Sequence, residues 1–292
     1  MRLLLSVLAL MAGLASPACA QSSWDMFDGG KLLATAGVSQ VEGAGGGGLS
    51  NWALITGYGT RDGIGGNVHY TAVPLPDYTL QSAGVAVGLF DRLELSYAWQ
   101  EFDTQDVGAA LGLGRGFTFH QNIFGAKLKL VGDAVYDQDS WLPQISIGLQ
   151  HKENDRGAVI AAVGGKGSVG TDYYVAASKL FLEQSLLVNV TLRETKANQF
   201  GILGFGGDKH NDYSTQFEGS AAYLISRRLA VGAELRTKPS NLGVAHEGAA
   251  WDLFAAYFFN KNLSLTAAYA DLGNLVIRNN QQGAYLSLQA GL

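Results

Sequence analysis

Alternation of apolar and polar residues is the dominant pattern along this chain. In the stretch 92–100, leucines and aromatic residues occupy the odd positions, while Glu94, Ser96 and Gln100 lie on the even ones. Because successive side chains of a strand point to opposite faces, this pattern predicts a strand with one apolar and one polar face. Similar segments follow short polar breaks, which predicts β-hairpins at those places. The breaks lie at 183–184, 226–228 and 260–262.

Fourteen segments are candidate strands, and most are close to ten residues long. They lie near 31–41, 50–59, 64–73, 79–90, 92–103, 117–131, 142–152, 172–182, 185–195, 213–225, 228–238, 250–259, 262–271 and 283–292. A strand that crosses a bilayer needs about 9 to 11 residues, whereas strands of soluble sandwiches usually have about 5 or 6. The segment lengths therefore favour strands that cross a membrane.

The connections between these segments alternate in length. Short turns follow candidate strands four, eight, ten and twelve, and longer links rich in Gly and Asp follow strands five, seven, nine, eleven and thirteen. Bacterial outer-membrane barrels have short periplasmic turns, longer outer loops and an even strand count. The link 132–141 departs from this rule, because it should be short. We predict an all-β fold, a transmembrane antiparallel β-barrel of about 14 strands (roughly 12 to 16), with its apolar face outward.

Composition excludes several other classes of protein. The 20 basic and 25 acidic residues give a net charge of −5, and no basic run exceeds Arg227-Arg228, so no nucleic-acid partner is predicted. The 39 glycines come with only 5 prolines and no G-X-Y period, which excludes collagen. Many of these glycines lie in the long links, and those within strands suit a tightly curved sheet.

The first 20 residues have the features of a cleaved signal peptide. Arg2 supplies a positive charge, residues 3–14 are apolar, and Ala18-Cys19-Ala20 offers a small-residue cleavage site. The domain expected after cleavage is 21–292, and it contains no cysteine, so disulfides do not stabilise it. No second run approaches the roughly 20 apolar residues of a spanning helix. We predict export to the cell outer membrane.

Four stretches of the chain resemble an uncharacterised family of glycine-rich bacterial outer-membrane β-barrel proteins, known as a domain of unknown function. They are GLGRGFTF at 112–119, GDAVYDQDSWLPQI at 132–145, TKANQFGILGFGGD at 195–208 and SRRLAVGAELRTKP at 226–239. The resemblance covers most of the predicted mature chain. It implies an envelope location, and it implies neither an activity nor a catalytic residue.

Charged residues on the polar face of the predicted strands are the candidates for a functional role inside the barrel. Opposite charges that face each other across a water-filled lumen create a field that orients and filters solutes. Because neither sign dominates, strong ion selectivity is not predicted. Alternatively, these residues pair across strands and fill the lumen. The lumen-facing candidates are Glu94, Lys127, Lys129, Arg193, Glu218, Glu234 and Arg236.

Two further features leave alternatives open. The links 104–116 and 200–205 are unusually apolar for outer loops, so they either fold inward as plugs or pack over the rim. His120 and His151 fall near mirror positions about the link between candidate strands six and seven. We therefore expect them to face each other near the outer rim. They either form a metal or hydrolase site or lie at headgroup depth, and no nucleophile or helix motif accompanies them.

The function predicted from these patterns is a passive channel or porin-like pore for small solutes. No enzyme activity, catalytic residue, metal or cofactor is predicted. The expected partners are outer-membrane lipid and lipopolysaccharide, small solutes, and the barrel-assembly machinery during biogenesis. The final strand resembles the C-terminal assembly signal of such barrels, although Leu292 replaces the usual aromatic residue. The alternatives are a closed barrel with a structural or envelope-assembly role and a lipid-modifying barrel enzyme.

Overall fold

The computed structural model describes Phe27 and residues 29–292, so the predicted signal peptide lies outside the described residues. Two short strands, β1 (Val38–Ser39) and β2 (Gly45–Gly46), form a separate small sheet. Twelve strands form a closed antiparallel barrel. They are β3 (Ile64–Pro74), β4 (Thr79–Leu89), β5 (Leu93–Asp103), β6 (Thr118–Val131), β7 (Gln144–Asn154), β8 (Val169–Phe181), β9 (Leu186–Thr195), β10 (Ser214–Ser226), β11 (Leu229–Arg236), β12 (Ala250–Phe258), β13 (Leu263–Asp271) and β14 (Gln282–Gly291).

Short helices occur only in the links among the described residues. They are α1 (Gln105–Ala110), α2 (Gly157–Ala162) and the 3-10 helix Asn198–Gly201. No helix in this part of the chain is long and apolar enough to cross a membrane.

The barrel closes because each strand pairs with the next and β14 pairs with β3. Leu288 of β14 lies opposite Tyr70 of β3, and Leu286 lies opposite Ala72. A closed sheet has no unpaired edge, so its backbone groups are hydrogen-bonded without help from solvent. The prediction of a closed antiparallel barrel is confirmed, with twelve strands at the lower end of the predicted range.

The first two candidate strands were wrong as parts of the wall. The segments 31–41 and 50–59 lie inside the barrel, and every residue from 38 to 59 is buried. A wall strand exposes alternate side chains on the outer surface, whereas a segment enclosed by the wall buries all of its side chains. Local alternation cannot distinguish the two cases, because it does not show what lies on the second face.

The outer face of the wall is apolar and its inner face is polar. In β5, for example, Leu95 is 49% exposed on the outer face, while Glu94 and Gln100 on the inner face are 1% exposed. The outer face of other strands carries Val85, Phe124, Ile147, Val190, Leu235, Leu253 and Leu286. An apolar outer band with a polar interior is the arrangement of transmembrane barrels.

The two ends of the barrel differ as predicted. The turns 90–92, 182–185, 227–228 and 259–262 lie at one end, here called the short-turn end. The links 104–117, 155–168, 196–213, 237–249 and 272–281 lie at the other, here called the loop end. The link 75–78 is a short connection at the loop end.

The link 132–143 is longer than the other connections at the short-turn end because it forms a small folded lobe. Ala134 is fully buried against Leu180, and Tyr136 accepts a hydrogen bond on its hydroxyl from the Leu32 backbone N–H at 3.1 Å. Asp133 caps the turn by accepting bonds from the backbone N–H groups of Val135 and Tyr136. Burial alone would raise the pKa of Asp133, but these bonds and Lys129 lower it. The lobe thus supports the segment that enters the barrel.

Candidate functional site

The barrel interior is filled by residues 31–59, which we call the interior segment. It begins at the short-turn end, where Lys31 pairs with Asp91 at 2.8 Å. It reaches toward the loop end, where the Val41 carbonyl accepts hydrogen bonds from Ser82 and Gln100. It then returns to the short-turn end, where the Tyr58 N–H donates to the Leu292 carbonyl at 3.0 Å. The segment is therefore a hairpin-like insertion with both of its ends at one mouth of the barrel.

All seven lumen-facing candidates lie inside the barrel, with at most 9% exposure. Glu94 and Lys127 form an ion pair at 3.1 Å on neighbouring strands. Glu94 also accepts the backbone N–H groups of Gly45 and Thr56, and Lys127 donates to the carbonyls of Gly45 and Leu54. Lys129 lies nearer the short-turn end, where it pairs with Asp91 at 2.6 Å.

The remaining acidic candidates bind the backbone of the interior segment directly. Glu218 accepts the Asn51 N–H at 2.8 Å, and Glu234 accepts the Leu49 N–H at 2.6 Å. Buried backbone N–H groups outside regular structure need such partners, because an unpaired one costs the free energy of a lost hydrogen bond. The wall therefore supplies to an irregular segment the acceptors that a sheet would otherwise supply.

A balanced group of six charges, here called the central cluster, joins the interior segment to the wall. Glu42 of the segment pairs with Lys152 and, at 2.8 Å, with Arg236. Arg236 and Arg193 both reach Glu218, at 3.4 and 2.9 Å. Lys152 also pairs with Asp172 at 2.8 Å, and Arg193 lies 3.6 Å from the same carboxylate. These are three acids and three bases, so the group carries no net charge when all are ionised.

The electrostatics of Glu42 follow from this arrangement. Burial alone would raise the pKa of its carboxyl, but Arg236, Lys152 and Arg193 overcome burial and lower the pKa well below its ordinary value of 4.5. Glu42 is therefore ionised at neutral pH.

Sequence reasoning missed three members of the central cluster. Lys152 is at an inward-facing position of its strand. The alternation of apolar and polar residues that identified Lys127 could therefore have identified Lys152 as well. Asp172 likewise occupies an inward position of β8. Glu42 could not be found in this way, because its segment was assigned to the wall.

The glycine run at the tip of the interior segment has a steric cause. A Cβ atom on Gly47 would lie 1.5 Å from a carboxylate oxygen of Glu234, and one on Gly45 would lie 2.8 Å from an oxygen of Glu94. Gly43 has a φ of +98°, which side chains other than glycine rarely adopt. The tip is rich in glycine because carboxylates of the wall occupy the space that side chains would need.

At the loop end, an apolar group of side chains here called the outer cluster covers the tip. The link 200–205 folds inward, and the Phe200 carbonyl accepts hydrogen bonds from Gln121 and Lys152. The Phe200 ring lies 4.6 Å from the Arg236 guanidinium. From the link 104–116, Val107 is buried in the cluster. Other members are Val41, Leu49, Tyr78, Phe102, Phe119, Leu242 and Leu272.

The predicted pairing of His120 with His151 is wrong. His151 lies opposite Phe124 across β6 and β7, because the folded link 132–143 sets the register of this hairpin. His120 instead lies 2.9 Å from Asp155 and 3.3 Å from Glu101. Within the described residues, no group of three or more His, Cys, Asp or Glu side chains is arranged to hold a metal ion.

The closed twelve-stranded wall, apolar outside and polar inside, defines the chain as a barrel of the outer-membrane type. The chain belongs to the family described as Protein of unknown function (DUF3034), which matches residues 35–289. This confirms the resemblance found in the sequence. A search of curated proteins gives no match.

Solved structures similar to this chain include bacterial channels. The KdgM porin has a TM-score of 0.50 and 11% identity, covering 77% of this chain and 98% of that one. An outer membrane channel from Pseudomonas putida F1 has a TM-score of 0.50 and 13% identity, covering 78% and 94%. At these identities the likeness shows a shared barrel fold.

Proposed function

We propose that this protein is a porin-like channel for small solutes in the bacterial outer membrane, and that the interior segment closes it in the conformation described here. The observation that carries the proposal is the middle of the inner face of the wall, where polar and charged side chains line the interior between an apolar group at each end. Inward side chains such as Gln150 and Asn189 are polar, and both form hydrogen bonds with Asn51 of the segment. Water can solvate such a surface if the segment leaves.

Many of the contacts that hold the interior segment are of a kind that water can replace. Its tip is bound by hydrogen bonds to Glu94, Glu218 and Glu234 and by the ion pairs of Glu42. The apolar side chains of the segment, Val38, Trp52 and Leu54, pack against apolar side chains of the wall. A hydrogen bond inside a protein contributes a net of only about 0.5–1.5 kcal/mol, because water offers an alternative partner. Withdrawal of the segment exchanges these bonds for bonds to water.

The path of the chain also permits withdrawal. Both ends of the interior segment lie at the short-turn end, at Lys31 and at Tyr58. The whole insertion can therefore leave through one mouth without threading past the wall. Passage also requires the link 196–206 to separate from the tip, since Phe200 packs in the same apolar cluster as Val41 and Leu49 of the segment.

The surroundings proposed for the barrel follow from its outer face. Exposed aliphatic and aromatic side chains on the strands from β4 to β14 suit contact with lipid and, at the loop end, with lipopolysaccharide. Insertion by the barrel-assembly machinery is part of the same proposal. The KdgM porin has been solved in complex with disordered oligogalacturonate, which supports a small hydrophilic solute as the class of cargo.

Single-channel recording in planar bilayers tests the proposal. The full chain should give brief, infrequent conducting steps, and a variant lacking residues 31–58 should give long-lived steps of larger conductance. Glu183→Gln, a change in an exposed turn, is the matched control and should behave like the parent. Slower migration in gels after boiling checks that each variant forms a barrel.

The opposite outcome is a closed structural barrel. If the deletion variant folds but conducts no more than the full chain, the channel proposal fails. Should the deletion prevent folding, Glu42→Gln in the full chain provides the second test. It weakens the central cluster without removing the segment, and it should raise the frequency of openings.

A further inference from the structure

The interior contains one acidic pair that differs from its other charged groups. Within the described part of the chain, the central cluster is balanced, Glu94 has Lys127, and Glu247 has Lys238 at 3.2 Å. Glu234 and Asp252 have no basic side chain within 4 Å in the described residues, although they are only 3% and 1% exposed. Two buried carboxylates without a counter-charge are costly, so this pair calls for a positive partner from outside the chain.

The two carboxylates are placed next to each other by the register of the sheet. Glu234 of β11 lies directly opposite Asp252 of β12, and both point inward. Side chains in such positions have Cβ atoms about 4.5–5.5 Å apart. Glu234 accepts hydrogen bonds from the Leu49 N–H at 2.6 Å and the Ser220 hydroxyl at 3.0 Å. Neither oxygen of Asp252 has a hydrogen-bond partner among the described residues.

A second unpartnered group points to the same place. The hydroxyl of Tyr285, a residue only 1% exposed, also makes no hydrogen bond of standard geometry in the described structure, although the Thr71 and Ser287 hydroxyls lie near it. A Cβ atom placed on Gly48 would lie 3.4 Å from that hydroxyl and 3.5 Å from an oxygen of Asp252. The Asp252 carboxylate and the Tyr285 hydroxyl thus converge on one point beside the tip of the interior segment.

We propose that Glu234 and Asp252 form a binding site for a hard divalent cation of the calcium type, with the Tyr285 hydroxyl as a neutral oxygen ligand. Calcium is bound by carboxylate, hydroxyl, carbonyl and water oxygens in flexible geometry, which matches this donor set. The cation neutralises the pair. Because Glu234 also binds Leu49, the occupied site ties the tip of the interior segment to β11 and β12. This site is independent of whether the barrel conducts.

Calcium and terbium binding to the refolded full chain tests the proposal. Protein is refolded into detergent micelles in chelator-treated buffer, and Tb³⁺ is added as the luminescent probe. A lanthanide bound beside Tyr285 should emit when tyrosine is excited, and Ca²⁺ should compete for the site. Asp252→Asn, which keeps the shape and removes the charge, should weaken binding by at least about tenfold. Glu183→Gln, an exposed carboxylate, is the matched control and should bind like the parent.

A second measurement needs no variant. Calcium should raise the midpoint of thermal unfolding of the parent protein, because a ligand that binds the folded state stabilises it. Tyr285→Phe keeps the ring and removes the hydroxyl, and it should reduce this gain. The proposal is overturned if the parent shows no saturable terbium signal, or if Asp252→Asn and Glu183→Gln bind alike. It is also overturned if stability responds to pH but not to calcium, which would mean that the two carboxylates share a proton.

Discussion

The interior segment and the outer cluster both fill the barrel, but they are held by different forces. The segment is held by ion pairs and hydrogen bonds to the wall, which involve Glu42, Glu94 and Glu218. In the outer cluster, Tyr78 stacks on Phe102 with ring centroids 5.0 Å apart, and Phe119 lies beside them at 6.3 Å from Phe102. Polar contacts can be exchanged for water, whereas apolar burial is lost outright on exposure. The polar contacts of the segment are therefore the ones suited to exchange during movement, and the aromatic contacts among Tyr78, Phe102 and Phe119 are the ones suited to a fixed support.

The largest effect is expected from the central cluster. Arg236→Met keeps much of the side-chain volume but removes one of the two basic partners of Glu42 and one of the two basic partners of Glu218. Removing one member of a buried ion pair costs about 3–5 kcal/mol, because the other charge stays buried. The free energy of unfolding in urea should fall by this amount, and channel openings should become more frequent. Arg227→Met, in an exposed turn, should change neither. An equal effect of both substitutions would contradict the role given to Arg236.

A large loss of stability without a change in conductance is expected in the outer cluster. Phe102→Ala removes a ring that packs on Tyr78 and Phe119, at a cost of about 3 kcal/mol for the transfer and the cavity. Trp141, which is 90% exposed, offers the control Trp141→Ala, with little expected change. Thermal unfolding and bilayer recording measure the two properties separately. If Phe102→Ala opened the channel as readily as Arg236→Met, the distinction between the two regions would be lost.

A smaller effect is expected where the tip of the segment meets the wall. Gly47→Ala places a methyl group where Glu234 now lies, so the tip or the carboxylate must shift. Overpacking of this kind costs about 1–3 kcal/mol. The midpoint of urea unfolding should fall, and openings should increase modestly. Gly248→Ala is the matched control, because a Cβ there meets no atom within 4 Å. Equal stability of the two variants would show that the tip is not closely packed.

The smallest effect concerns pH, because no change is expected between about pH 8 and pH 6. The pKa of Glu42 is lower in the folded state than its ordinary 4.5, so its charge stabilises the fold above that value and this stabilisation is lost as pH falls below it. The difference in unfolding free energy between the parent and Glu42→Gln should therefore be constant from about pH 8 to pH 6 and shrink only in acid below about pH 5. A difference that already declines between pH 8 and pH 6 would contradict the pairing of Glu42 with Arg236 and Lys152.

Alternation along the chain predicted the wall because membrane strands obey a local rule. Residues such as Leu95 and Glu94 fall on opposite faces whatever their partners are, and turn lengths set the order of the hairpins. The contents of the barrel could not be predicted in this way. Glu42 meets Arg236 and Gly47 meets Glu234 through contacts between distant parts of the chain. The partner of His120 likewise depends on where the folded link 132–143 places the turn between β6 and β7.

The claim that the interior segment closes a polar pore is tested most directly by a reversible crosslink. The Ser39 hydroxyl lies 2.8 Å from the Asn67 side-chain oxygen of β3, so the two side chains are in contact and this pair is the one chosen for a disulfide. In a Cys19→Ser background, the double variant Ser39→Cys, Asn67→Cys should give no conducting steps when oxidised and should regain openings after reduction. The single variant Ser39→Cys should show the same conductance under oxidising and reducing conditions. Equal conductance of the oxidised and reduced double variant would contradict the account.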